Sequence, residues 1–343
     1  MPADCPTLTV ASEPFAHLEQ DWTALAGRLP RPLPFHRPAW HRIWWSHFGD
    51  GREPLYLAVR EDGALAAVVP LMRDGDTLAV AGDPRICDYT DIPIASAASP
   101  SLLTVVLDAL EPMPWQTLHL WGLPEDAPAL AITRDWAASR GHDVEIDFEA
   151  VCPRIAPLAD WDGYLASLSK KDRHELKRKM RRFQESGSDV RIRILTTPAE
   201  VDAALEPFFH LHRVSRHDKA EFMTPAMEAF FRDMAVDLAG DDLVRLYLIE
   251  VDEQPAAALL AFRSGDELLL YNSGYDPAFA QASVGIVSKA MALQSAIADG
   301  VRTFDFLRGA EPYKYDLGGT DRIVRQLWVR RNDRGATADH ASV

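Results

Sequence analysis

A chain of 343 residues is long enough for about two domains, each with its own core. Its 47% hydrophobic and 25% charged residues are ordinary for a globular protein. The net charge of −15 argues against a general DNA- or RNA-binding surface, because phosphate binding needs concentrated Lys and Arg.

Ser12 can cap a helix reaching about Leu25, and Pro38 can open another through Phe48. Leu55-Tyr-Leu-Ala-Val-Arg-Glu-Asp-Gly63 continues into the Ala-rich run after Ala64 and the turn Asp74-Gly-Asp76, which predicts a three-strand antiparallel meander. A helix from Ser101 to Leu110, a strand from Trp115 to Trp121 and a helix from Pro124 to Arg140, closed by Gly141, come next. The proline-containing run Val151-Cys-Pro-Arg-Ile-Ala-Pro157 reads as an extended crossing between halves. Ser169 and Asp172 resemble a capping box ahead of a basic helix to about Glu185. Thr197, Pro198 and Glu200 start another helix, and Thr224-Pro225 a third that stops near Gly240.

Leu246-Tyr-Leu-Ile-Glu-Val-Asp-Glu-Gln254 then leads through an Ala run to Ser264-Gly-Asp266, a second meander. The matched Leu-Tyr-Leu openings, Ala runs and Gly-Asp turns argue for internal duplication. A strand from Glu267 to Asn272 enters the turn Ser273-Gly-Tyr-Asp-Pro277. Ser283-Val-Gly285 opens an apolar-periodic helix, and after Gly300 comes a strand from Arg302 to Leu307. The residues after Asn332 read as a short frayed tail. Cys5, Cys87 and Cys152 lie far apart without a C-x-x-C spacing and read as reduced structural thiols. The N-terminus lacks a signal-peptide pattern, and no apolar run approaches a membrane span, so the expected location is cytoplasmic.

Chemistry concentrates between Glu267 and Lys314. A small-residue loop at a helix start offers unpartnered amides and positive dipole potential to an anion. Ionisable groups just past the next strand's carboxyl end lie where ligands meet an α/β sheet. Asp305 alternates with Phe304 and Phe306, so it faces away from two aromatics. Partial burial would make it a better proton acceptor; pairing with Arg302 or Arg308 would make it structural instead. Arg308 or Lys314 could hold a phosphate or an oxyanion, and Glu311 could accept a proton. The basic helix with Lys170, Lys171, Arg173, Lys177, Arg178, Lys179, Arg181 and Arg182 is the one positive concentration in an acidic chain, either a solvated face or an anion track. His210 and His212 point to different helix faces, and with His217 they give no metal pattern, so no metal is expected. Asp88, Tyr89 and Asp91 either face a substrate cleft or form an acidic turn capped by its own backbone.

Several runs carry a family resemblance: Pro38-Ala-Trp40 with Trp44-Trp45, Asp88-Tyr-Thr-Asp91, Leu168-Ser-Lys-Lys-Asp-Arg-His-Glu-Leu176, and above all Phe304-Asp-Phe-Leu-Arg-Gly-Ala-Glu-Pro-Tyr-Lys314. Together they resemble the GNAT-type acetyltransferases grouped with CelD/BcsL proteins, linked to cellulose and other polysaccharide production and related to Fem-type peptidyltransferases. The resemblance covers nearly the whole chain, roughly Thr7 to Arg331. It implies an α/β (α+β) fold of two tandem GNAT-like modules, each a mixed, mostly antiparallel sheet flanked by helices. The modules would be 1–150, a scaffold on the acceptor side, and 151–332, carrying the acyl-donor site, with a flexible tail at 333–343. It further implies acetyl-CoA as cosubstrate, held by Asn272, Ser273, Gly274 and Tyr275 at the strand end and by Ser283, Val284, Gly285 and Ile286 at the helix start. Asp305, Arg308, Glu311, Tyr313 and Lys314 are the implied catalytic group. The acyl acceptor would be an amine or hydroxyl of a small molecule or glycan precursor. The usual Gln/Arg-x-x-Gly-x-Gly/Ala fingerprint is incomplete: Gln281 lies four residues before Gly285, and Ile286 is followed by Val287 and Ser288. Two alternatives stay open, a Fem-like aminoacyltransferase using aminoacyl-tRNA and a non-catalytic accessory protein of polysaccharide biosynthesis.

Overall fold

The computed structural model describes residues 7–94, 100–185 and 189–332; Cys5, the extreme N-terminus and the tail after 332 lie outside the described residues. The chain divides into two compact units. Residues up to 41, residues 48–150 and the chain from 323 onward form the first, and residues 42–47 and 151–322 form the second.

In chain order the first half runs β1 (Leu8–Ser12), α1 (Phe15–Ala26), α2 (Pro38–Phe48), β2 (Glu53–Glu61), β3 (Ala64–Asp74), β4 (Thr77–Val80), α3 (Pro100–Leu110), β5 (Thr117–Pro124), α4 (Pro128–Ser139) and β6 (Asp143–Ile155). The second half runs α5 (Trp161–Ser167), α6 (Lys170–Gln184), β7 (Val190–Leu195), α7 (Pro198–Ser215), α8 (His217–Phe222), α9 (Pro225–Gly240), β8 (Val244–Val251), β9 (Gln254–Ser264), β10 (Glu267–Tyr275), α10 (Val284–Ala298), β11 (Thr303–Asp305), α11 (Pro312–Asp316) and β12 (Thr320–Arg330).

The two units have one topology. The first orders its strands β1-β2-β3-β4-β5-β12, and the second β7-β8-β9-β10-β11-β6. In each, the fourth and fifth strands are parallel (β4 with β5, β10 with β11), and the first four run antiparallel. The meanders β2-β3-β4 and β8-β9-β10 therefore hold the same places in their sheets, as duplication requires. The sixth place is filled by residues 323–330 of β12 in the first unit and residues 151–155 of β6 in the second. Both sheets are mixed, mostly antiparallel and flanked by helices.

Local signals explain most element ends. Thr197 accepts from the Glu200 amide while Glu200 bonds back to the Thr197 amide, a complete capping box with Pro198 in the first turn. Ser169 and Thr224 cap α6 and α9 through side-chain oxygens. Four expectations need correction. Ser12 caps no helix; it is the last residue of β1, paired with Leu57, and α1 starts after Pro14. α4 begins at Pro128, because the backbone stays paired as β5 up to Pro124. The expected turn at Ser273 is instead strand, since β10 stays paired with β9 as far as Tyr275. β11 is only three residues long, for Leu307 takes a left-handed φ of 55°.

Residues Ala256 to Phe262 of β9 are fully buried, a continuous apolar run of a strand covered on both faces. Ala257, Leu259 and Ala261 share one core with Val287, Ala290 and Leu293 of α10. In the first unit, α1 buries Leu18, Trp22 and Leu25. The Asp88–Asp91 segment packs inside that unit: Tyr89 is fully buried beneath Arg31, whose guanidinium carbon is 4.6 Å from the ring centroid. The Thr90 amide donates to Gly122 O at 3.0 Å, and Asp91 accepts from the Ile92 amide. Cys87 and Cys152 are buried thiols outside any disulfide. Among the described residues, no helix is long and apolar enough to cross a membrane.

Candidate active site

The candidate site lies where two neighbouring strands of the second unit part. β10 and β11 pair in parallel over only three residues each, the last pair being Leu269 with Asp305. β10 then continues to Tyr275 with β9 alone, and its register shifts between Leu270 and Asn272, a bulge that re-aims the residues beyond it.

Helices of the same unit hold the far end of β10. Asn272 Oδ1 meets His212 Nε2 of α7 at 2.7 Å. Burial, then the charge of Lys219, pushes the His212 imidazole down to about 4, so the ring is neutral at pH 7. Ser273 O accepts from Lys219 Nζ of α8. Gly274 lies directly on the α7 backbone, where a Cβ would run into the Leu211–His212 peptide. Tyr275 reaches the start of α10: a Cβ on Gly285 would sit 3.1 Å from its ring carbons. The structure thus brings Tyr275 and Gly285 together. Ser283 precedes α10 in a left-handed conformation, φ 59°, with no side-chain cap, and the Val284 and Gly285 amides precede any intrahelical acceptor.

The loop after β11 is shaped from inside. Asp305 is fully buried and accepts from the Leu307 amide at 2.8 Å, which holds Leu307 in its left-handed turn. Gly309 has φ 116°, and a Cβ there would come within 2.5 Å of Glu311 Oε2. Lys314 is 2% exposed and donates to three carbonyls, Leu307 O (3.0 Å), Arg308 O (2.8 Å) and Gly309 O (3.0 Å), while Glu311 Oε2 lies 2.9 Å away. Its three N–H groups are therefore all engaged by the loop itself. Burial works against the Glu311 anion, but the charge of Lys314, with that of Arg216 beyond, holds its carboxyl below the usual range. Burial, then Glu311, raises the Tyr313 hydroxyl above its ordinary value.

Two lysines join this loop that sequence reasoning did not select. Lys289, in the second turn of α10, donates to Gly285 O at 2.8 Å, and its Nζ stands 4.8 Å from the Tyr313 ring centroid. Burial pushes its amine down to about 7, with Lys219 and Lys314 adding repulsion against the opposing pull of Glu311. Lys219 falls to about 8, first by burial and then by Arg216. Arg216 itself is held by a two-point pair with Asp218. A signal for Lys289 was present: it is the lone charged residue in a largely apolar helix, and buried lysines are rare. Lys219 carries no such mark, since its helix is short and polar.

Beside the start of α10, Arg178, Arg181 and Arg182 of α6 and Glu185 just after it line an open groove of about 590 Å³ with Gln281 and Ala282. Arg178 is engaged by Glu175 and Arg181 approaches Glu185, but Arg182 makes no ion pair among the described residues. His210 is exposed and His212 buried, and no cluster of three or more His, Cys, Asp or Glu among the described residues could hold a metal.

Residues 170–315 match the acetyltransferase (GNAT) domain family, and the match lies wholly within the second unit. The chain as a whole shares its fold with FemX. FemX superposes with a TM-score of 0.65 at 12% identity, over 93% of this chain and 96% of FemX. The C-terminal domain (DUF2156) of a putative lysylphosphatidylglycerol synthetase from Agrobacterium fabrum gives 0.60 at 11%, over 93% of each chain. L-PGS from Bacillus licheniformis gives 0.58 at 12%, over 92% of this chain and 93% of that one. No curated protein matches the chain in sequence.

Proposed function

We propose that this protein is an acyltransferase that moves an acetyl or related acyl group from acyl-CoA to an amine or hydroxyl, with the donor bound in the second unit. The observation that carries the reading is the parting of β10 from β11 beside an uncapped helix start at Val284–Gly285. A thioester arm fits between parting strands, and a pyrophosphate fits the free amides and dipole of α10. The arginine-lined groove of α6 supplies cations for a further phosphate of the same donor. Asn272, Ser273, Gly274 and Tyr275 then form the strand side of the donor site, and Ser283, Val284, Gly285 and Ile286 its helix side.

Of the candidate catalytic group, Asp305 and Lys314 shape the loop, while Arg308, Glu311 and Tyr313 wall the reaction space. The acceptor is a sugar or polysaccharide precursor, the class that the family resemblance implies, and the first module serves as scaffold. The test is thiol release from acetyl-CoA in the presence of amino-sugar and alcohol acceptors. Release that depends on one acceptor class supports the reading, and none with any acceptor removes it.

A second reading is favoured by the similarity to FemX and by the basic face of α6: an aminoacyl donor carried on tRNA. Binding of aminoacyl-tRNA that weakens steeply with salt, without any acetyl-CoA binding, would select it.

A further inference from the structure

Acyl transfer, the reading on which the role assigned here rests, needs a group that takes the proton from the acceptor's attacking nitrogen or oxygen. Asp305, Glu311 and Lys314, at and around the loop after β11, suit that task poorly, and the Arg308 guanidinium has no proton-accepting site. Asp305 is wholly buried and accepts from the Leu307 amide. Glu311 is ion-paired with Lys314, and a carboxylate held ionised by a cation is a poor base. Lys314 directs its N–H groups to three carbonyls.

Lys289 differs in its partners. It is 6% exposed, and Gly285 O is the one acceptor its Nζ has among the described residues. As an ammonium it would bury two N–H groups without acceptors, at about 1–3 kcal/mol each. The face of Tyr313 would return only about 0.5–2 kcal/mol to a cation. As a neutral amine it keeps the Gly285 bond and leaves its lone pair open. The charged groups acting on it are Lys219 of α8, Lys314 of α11 and Glu311 of the preceding loop, so cations outnumber the anion.

We propose that Lys289 is the base of the transfer, taking the proton from the acceptor's attacking nitrogen or oxygen, with Lys219 as the neighbour that disfavours its charged form. As that nitrogen or oxygen bonds to the acyl carbon, its proton passes to Lys289 Nζ. The carbon–sulfur bond then breaks, its electron pair leaves with the sulfur, and the CoA thiolate recovers the proton from the Lys289 ammonium. The enzyme ends unchanged.

The test uses the full chain with ¹³C-labelled lysine, the Lys289 signal being assigned by its loss in Lys289→Arg. In the wild type that signal titrates near pH 7. Lys219→Met removes a facing cation, so the midpoint moves to higher pH, and the acidic limb of thiol release from acetyl-CoA, with glucosamine as probe acceptor, moves with it. Lys289→Met lowers kcat by about 10²–10⁴-fold and flattens that limb, with KM for acetyl-CoA little changed. Lys289→Arg, which keeps the charge but cannot lose the proton, does not rescue. A Lys289 midpoint above pH 9, or a wild-type pH profile in Lys289→Arg, overturns the proposal. Absence of thiol release in every protein, wild type included, overturns it through the acyl-transfer reading instead, and the Lys289 midpoint then tells which of the two failed.

Discussion

Replacing Lys314 by Met should damage the fold of the second unit as much as its chemistry. The side chain is 2% exposed, and its ammonium ties together the carbonyls of Leu307, Arg308 and Gly309 and faces Glu311 at 2.9 Å. Methionine fills nearly the same volume but donates nothing, so three carbonyls and one carboxylate lose their partner together. Breaking a buried pair by removing one member typically costs about 3–5 kcal/mol. Charge-assisted hydrogen bonds at about 1.5–3 kcal/mol each would sum higher, but Glu311 is partly exposed and water can replace part of its loss, which keeps the cost in the lower range. A domain of about 150–250 residues shifts its Tm by about 2–4 °C per kcal/mol, which predicts a fall of about 6–20 °C. Differential scanning calorimetry measures it, with Lys314→Arg as a control that keeps the charge. A change of less than about 2 °C in Lys314→Met would refute the clamp and return Lys314 to a purely chemical role.

Gly274→Ala should destabilise by about 1–3 kcal/mol or more, because the new methyl meets the α7 backbone rather than a side chain that can turn aside; urea unfolding that matches the wild type would contradict this packing. The first unit should lose stability on mild acidification, because burial pushes His36 down to about 3 and His41 to about 4. Unfolded histidines titrate near 6.5, so stability is full above that pH and falls below it, by about 1.4 kcal/mol per histidine per pH unit; Tm unchanged between pH 7 and 5 would exclude it. The depressed carboxyl of Glu311 contributes above its unfolded value and is lost as pH falls through the folded one, so Glu311→Gln should flatten the Tm–pH curve below about pH 4.5.

The repeated meanders were legible because period-two patterning and Gly-Asp turns are local properties: Leu55 and Leu246 are each the third residue of equivalent strands, and the turns at Gly75 and Gly265 both take positive φ. Helix starts with side-chain caps, at Thr197 and Thr224, were legible for the same reason. β1 was hidden by its brevity and by Ser12, whose side chain suits a cap but whose backbone pairs with Leu57. The placing of β12 beside β5 depends on pairing across most of the sequence, which no short window displays. At the site, the run from Asp305 to Lys314 stood out by its density of ionisable groups, yet the inward turn of Lys314 onto three loop carbonyls is a matter of packing that no spacing displays. Lys289 and Lys219 act through burial and mutual repulsion, quantities set by the packing of α8, α10 and α11 rather than by spacing.

The proposed donor site lies between the end of β10 and the start of α10. Isothermal titration of the full chain with acetyl-CoA, wild type beside Gly285→Glu, tests it most directly. At Gly285 a side chain would crowd Tyr275 and bring a negative charge to the helix start. Saturable binding is expected for the wild type, and none for a Gly285→Glu variant that keeps its circular dichroism spectrum and cooperative unfolding. No binding to the wild type, or equal affinity in the folded variant, would contradict the claim.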